Sequence, residues 1–166
     1  KNIPLLIIAD SIEGDAMQTL VMNRMNGVLD IAAVRSPSYA DQRKEIMRDI
    51  AILTGGVFLC EDEGFDISSV NPQAVGNILG TCEKITVTGS NTTIVNGNGN
   101  EVAIADRIQS IKDQIENIED ESTALLLRER LAKLEGGVAI LKIGAYSEME
   151  LKEKKDRLDD ALSATR

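Results

Sequence analysis

Groups able to carry covalent or acid–base chemistry are scarce in this sequence. It has no histidine, and its two cysteines, Cys60 and Cys82, stand far apart. No imidazole base and no Cys/His zinc set of familiar spacing can be assembled. Two free, buried thiols are the expected state. The stretch "NGNGNE" (96–101) has the glycines of a phosphate loop. It lacks the Lys-Ser/Thr of a P-loop and the third glycine of a dinucleotide fingerprint, so it reads as a plain turn. What remains is carboxylate chemistry, with 27 acidic residues against 18 basic ones and a net charge of −9. These acids are spread along the chain. Asp160, beside Asp159 in "DRLDDALSATR", lies opposite the apolar stripe of its helix with Glu153 and Asp156, and taken alone forms a solvated charged face. A self-contained enzyme needs convergent titratable groups, and scattered carboxylates do not supply them.

Binding chemistry is better represented. "EGDAMQTLVMNRM" (13–25) places Met17, Leu20, Val21, Met22 and Met25 within nine positions. On a helix these residues cover an apolar arc wider than one stripe needs for packing on a small domain. Methionine, unbranched and polarizable, suits a surface that must adapt to many shapes. Core filling is the alternative reading, and for Met25, near the helix end, the two weigh equally. Nucleic acid is not the expected partner, because no basic stripe neutralises phosphates and aromatic content is 2% with no Trp to stack on bases. No run of about 18 apolar residues suggests a membrane span.

These residues must be positioned by an alternation of strands and helices. "PLLIIAD" (4–10) reads as a strand buried on both faces, the helix of 13–25 follows, and "GVLDIAAVR" (27–35) is a second strand. The order predicts a parallel βαβ unit. Ile46, Met47, Ile50 and Leu53 recur at helical spacing until Gly55-Gly56, after which "VFLC" (57–60) is expected as a short strand. "CEKITVTGSNTTIVNGNGNE" alternates and predicts a β-hairpin about Gly89-Ser90-Asn91. Ile104, Ile108, Ile111, Ile115 and Ile118, then Ala124, Leu127, Leu131 and Leu134, predict two antiparallel helices packed on each other or on a sheet. After Gly136-Gly137, "VAILKIG" is expected as a strand. "SEME" then opens the last helix as a capping box, Ser147 accepting from the Glu150 amide and Glu150 reaching back. Leu151, Leu158 and Leu162 form that helix's stripe.

Several stretches together resemble group I chaperonins: "PLLIIAD", "IEG" and "TLV" near the start, then "DIAILTGG" (49–56), "TTIV" (92–95), "RERLAKLEGGVAILKIGA" (128–145) and "EKKDRLDDALSATR" (153–166). No single motif suffices; the collinear set is specific. The resemblance implies an α/β fold like that of the chaperonin apical domain, a β-sheet core flanked by helices with a helical hairpin, followed by part of a small α/β intermediate domain. Residues 1–138 would be the apical domain, incomplete at its N-terminus, and 139–166 the returning segment of the intermediate (hinge) domain. The chain is expected to be an excised fragment, with the nucleotide-binding domain outside it.

The resemblance also implies roles. Met17, Val21, Met22 and Met25 fall where the family binds non-native polypeptides and the co-chaperonin's mobile loop. Asp160 matches the aspartate that acts in hydrolysis, in the full-length parent only. Glu13 and Glu148 match inter-subunit or hinge salt-bridge positions. The fragment is expected to be monomeric and without cofactor, whereas its parent would be a homo- or hetero-oligomeric ring using ATP and Mg²⁺. The expected setting is a bacterial cytoplasm or an organelle interior, mitochondrial matrix or plastid stroma. A structural or adaptor module with one folded partner is the competing reading. The chain departs from the family in three places. "PGFGDRR" appears as "PSYADQR" (37–43), losing two glycines and one Arg, while "DISSVNPQAVGNILGTCEK" is longer than expected and "EDESTALLLRER" lacks the usual acidic-aromatic link.

Overall fold

A computed structural model describes residues 3–65, 68, 70–136, 141 and 143–165. The opening apolar run forms β1 (Leu5–Ala9), the methionine-bearing stretch α1 (Gly14–Met25) and the next run β2 (Ile31–Arg35). β1 and β2 pair in parallel, from Leu5 opposite Ile31 to Ala9 opposite Arg35, as the βαβ order requires. β2 begins later than the expected residue 27 because the preceding residues close α1. Gly27, at φ 67°, donates its N–H to the Arg24 carbonyl, and Val28 donates to that of Asn23.

α2 (Ala40–Thr54) follows a turn in which Ser38 and Ala40 both hold left-handed backbone, φ 64° and 46°, around an extended Tyr39. These are the two positions at which the family pattern has glycine. An L side chain there costs about 1–2 kcal/mol. Ala40→Gly is therefore expected to raise stability by about 1 kcal/mol, read as a higher denaturation midpoint at unchanged slope. Ser38→Gly should gain less, because the Ser38 hydroxyl donates to the Gln42 side-chain oxygen and glycine forfeits that bond. A lower midpoint for Ala40→Gly would show that the turn is unstrained.

Residues 57–60, expected as a strand, form none. Val57 N–H bonds the Ile78 carbonyl, and the chain then enters a 3₁₀ turn at Glu61–Glu63 held to α2 by the pairs Lys44–Asp62 and Arg48–Glu63. A second 3₁₀ stretch spans Pro72–Asn77. The hairpin forms as predicted, β3 (Cys82–Val87) antiparallel to β4 (Thr92–Gly97).

Beyond the hairpin, "NGNGNE" is a backbone crossing rather than a ligand loop. The Gly99 N–H donates to the Leu53 carbonyl at the end of α2. A Cβ on Gly97 would lie 2.1 Å from Leu53 O, and one on Gly99 2.0 Å from Ile52 O, so both glycines permit close approach of two backbones. Asn100 caps the next helix, its side-chain oxygen accepting from the Val102 and Ala103 amides. The amides a phosphate would use are thereby occupied.

The two predicted helices are α3 (Glu101–Asn117) and α4 (Glu121–Glu135). They form the hydrophobic centre of the described chain: Ile111, Leu127 and Leu134 are buried, and Leu53, Ile108, Ile115, Ile118 and Leu131 pack around them. This departs from the expected sheet core. Among the described residues each of the two sheets has two strands, too few to bury a face, and the helix stripes bury one another instead. Cys60 and Cys82, expected buried, are free and half-buried. Burial pushes the Cys82 thiol above its ordinary value despite a lowering backbone hydrogen bond at Lys84.

An ion network that the sequence pattern did not reveal joins α2 to this pair. Asp49, buried on α2, accepts from Arg107 Nε of α3 at 2.7 Å and from Arg130 Nε and Nη2 of α4 at 2.8 and 3.1 Å. Glu45 accepts from Arg107 at 2.6 Å and Arg130 at 3.3 Å, and also pairs with Arg48. Burial alone would push the Glu45 carboxyl up. The hydrogen bond from Arg107, with the charges of Arg107, Arg48 and Arg130, outweighs it and holds the group below the ordinary carboxylate range. Its contribution is therefore complete above about pH 4.3 and is lost as pH falls through the depressed value.

Removing one partner of a buried pair is worse than never having built it. Asp49→Ala leaves buried Arg130 with only the longer 3.3 Å contact to Glu45 and is expected to cost about 3 kcal/mol by urea denaturation at neutral pH. A loss under about 1 kcal/mol would mean the network is effectively solvated.

The last helix, α5 (Glu148–Ala164), starts at a cap close to the predicted one. Ser147 Oγ accepts from the Glu150 amide at 3.2 Å, while Glu150 reaches back to the Tyr146 amide rather than to that of Ser147. The domain boundary at 138/139 and most of the expected strand at 138–144 fall outside the described residues, and 141, 143 and 144 lie in no strand.

Candidate functional site

α1 is held by its ends and one flank. Ahead of it, Asp10 pairs with Arg43 of α2 at 2.5 Å, and its carbonyl accepts from Arg35 Nε at 3.1 Å. At the far end, Arg24 donates to the Ile31 carbonyl of β2, and Asn23 Nδ2 bonds the Thr19 carbonyl at 2.8 Å. Leu20 and Asn23 are the half-buried residues of the helix; none is fully buried. At about 100° per residue they lie on one side.

On the other side, Met17, Val21, Met25 and Met22 fall within about 140° of arc. Their fractional exposures are 41%, 46%, 78% and 57%. Val28 and Leu29, also exposed, continue the apolar strip past the helix end. A run of apolar side chains left in water on one helix face marks a surface that is covered by something else at work. Thioethers with three rotatable bonds let such a surface follow the shape of what covers it. No charged side chain stands among the four.

Glu13 and Glu148 are exposed and sit at helix N-termini, Glu13 at the N-cap of α1 and Glu148 as the first residue of α5. Each carboxylate faces the positive end of a helix dipole there, and neither makes an ion pair among the described residues. Asp160 is exposed on α5, as is its neighbour Asp159. α5 carries the pairs Lys154–Glu150 at 2.8 Å and Arg157–Glu153 at 2.5 Å. The structure does not bring Asp160 together with the α1 residues into one site.

No group of three His, Cys, Asp or Glu side chains converges among the described residues. No helix among them is long and apolar enough to cross a membrane.

The described residues thus combine an exposed apolar helix, a βαβ unit and a helical hairpin. The model of the TCP-1/cpn60 chaperonin family matches residues 1–166, the whole chain. The chain belongs to that family and is a chaperone of the chaperonin class.

Proposed function

We propose that the chain is a group I chaperonin segment whose α1 captures non-native polypeptides, and the co-chaperonin's mobile loop, by their apolar side chains. The carrying observation is the outward display of Met17, Val21, Met22 and Met25 on a helix secured from its opposite flank. Each side chain of this size that a client covers contributes about 1.5–3 kcal/mol. Two or three such anchors give weak, reversible and unselective binding once association costs are met. Residues 1–138 then act as the apical domain and 139–166 as the returning hinge segment. Ring assembly, ATP and Mg²⁺ belong to the full-length protein, in which Asp160 acts on hydrolysis and Glu13 and Glu148 form inter-subunit or hinge pairs.

The test offers the purified chain a set of unrelated denatured proteins and a set of folded ones. Weak capture of many denatured chains, and of few folded ones, is expected. Tight binding of one folded protein with indifference to denatured chains would replace this reading with that of an adaptor.

A further inference from the structure

Five methionines occur in the 166 residues, and three of them lie on the exposed arc of α1. Met47 is half-buried in α2, and Met149 is exposed on α5. An exposed thioether meets oxidants that a packed one does not, and its sulfoxide is polar and chiral where the thioether was apolar.

Resting on the reading of α1 as a capture surface, we propose that α1 is a modification site. Peroxide oxidation of Met17, Met22 and Met25 switches capture off, and thiol-dependent reduction switches it on again. Each event moves one oxygen atom. The peroxide O–O bond breaks, a sulfur lone pair forms the S–O bond, the sulfur is oxidised by two electrons, and the peroxide is reduced to water. On return, a dithiol reductase removes that oxygen as water while its two thiols become a disulfide.

The geometry separates this switch from folding. The three sulfurs lie on the arc opposite Leu20 and Asn23, and the ties at Arg24–Ile31 and Asp10–Arg43 use no methionine. A sulfoxide on the arc therefore enters no core. It places a strong acceptor where a client's apolar side chain would have to desolvate it. Val21, between the methionines on the arc, cannot be oxidised and leaves a residue of apolar contact.

The chain is treated with graded hydrogen peroxide, mapped by peptide mass spectrometry and assayed for capture of one denatured probe protein. Sulfoxides are expected at Met22, Met25 and Met149 before Met47. Affinity should fall at least about tenfold, a change of roughly 1.4 kcal/mol, with unchanged far-UV circular dichroism. Methionine sulfoxide reductases with a dithiol should restore it. Met149→Leu should lose affinity to the same extent. A Met17→Leu/Met22→Leu/Met25→Leu variant should show an oxidised-to-reduced affinity ratio near one, whatever its starting affinity. Undiminished capture by a wild-type chain carrying all three sulfoxides would overturn the inference, as would an equal loss in the triple variant. A reduced chain that captures no denatured protein removes the binding reading, and this inference with it.

Discussion

Asp160→Ala, introduced into the full-length protein, is expected to slow hydrolysis of bound ATP by about 10²- to 10⁴-fold while leaving nucleotide affinity nearly unchanged. A carboxylate in this role accepts a proton from the attacking water, or holds that water in line, as the phosphoryl bond loosens. Asp160 is exposed on α5, as the proposed role in hydrolysis requires. Asp159 lies about 100° round the helix and should not substitute. Single-turnover hydrolysis, measured beside equilibrium nucleotide binding, separates the outcomes. Unchanged hydrolysis returns Asp160 to the solvated face of its helix, and lost binding makes its role structural. In the 166-residue chain the same substitution should shift only helix stability, and that slightly.

The second large effect concerns the two sides of α1. Met22→Glu removes an apolar anchor worth about 1.5–3 kcal/mol and adds the cost of desolvating a carboxylate under the client. Capture of denatured chains should fall by about two orders of magnitude, which corresponds to roughly 2.8 kcal/mol. The fold should persist, since Met22 is 57% exposed. Leu20→Glu, on the half-buried flank, should instead lower the denaturation midpoint and impair capture only through lost structure. Binding and circular dichroism measured on both variants decide the matter. If Met22→Glu unfolds the chain as badly as Leu20→Glu, α1 does not have two faces.

Local order was readable in the sequence where a period was long and a stop signal clear. The four-and-three stepping of isoleucines and leucines gave α3 and α4, and the same residues proved to be the core. Alternation about Gly89-Ser90-Asn91 gave the hairpin, and the arrangement of apolar residues in 13–25 gave a helix with too much apolar surface. Short apolar runs were less informative. "VFLC" has strand-forming residues but no neighbouring strand among the described residues, and pairing is a tertiary fact. Among the described residues the expected sheet core gives way to a helical one for the same reason. Asp49, Arg107 and Arg130 carried no positive signal, because each resembles a solvated helix charge until three helices meet. Their one trace was negative: a charge falling on the side of α2, α3 or α4 that the apolar stripe marks as inward.

Because the described chain's firmest interactions lie among α2, α3 and α4, the outward positions of α1 are nearly free of folding constraint. Substitution at residues 17, 21, 22 or 25 changes what the surface holds without touching the network around Asp49 or the cluster around Ile111. On the proposed reading of α1, lineages retune client range one side chain at a time with little effect on the fold. Such drift is closed to Asp49, where a first step removes the nearest partner of the buried Arg130 before any second step can compensate. The same chain thus holds a conservative half and an exploratory one, and α1 is where new clienteles would be expected to arise.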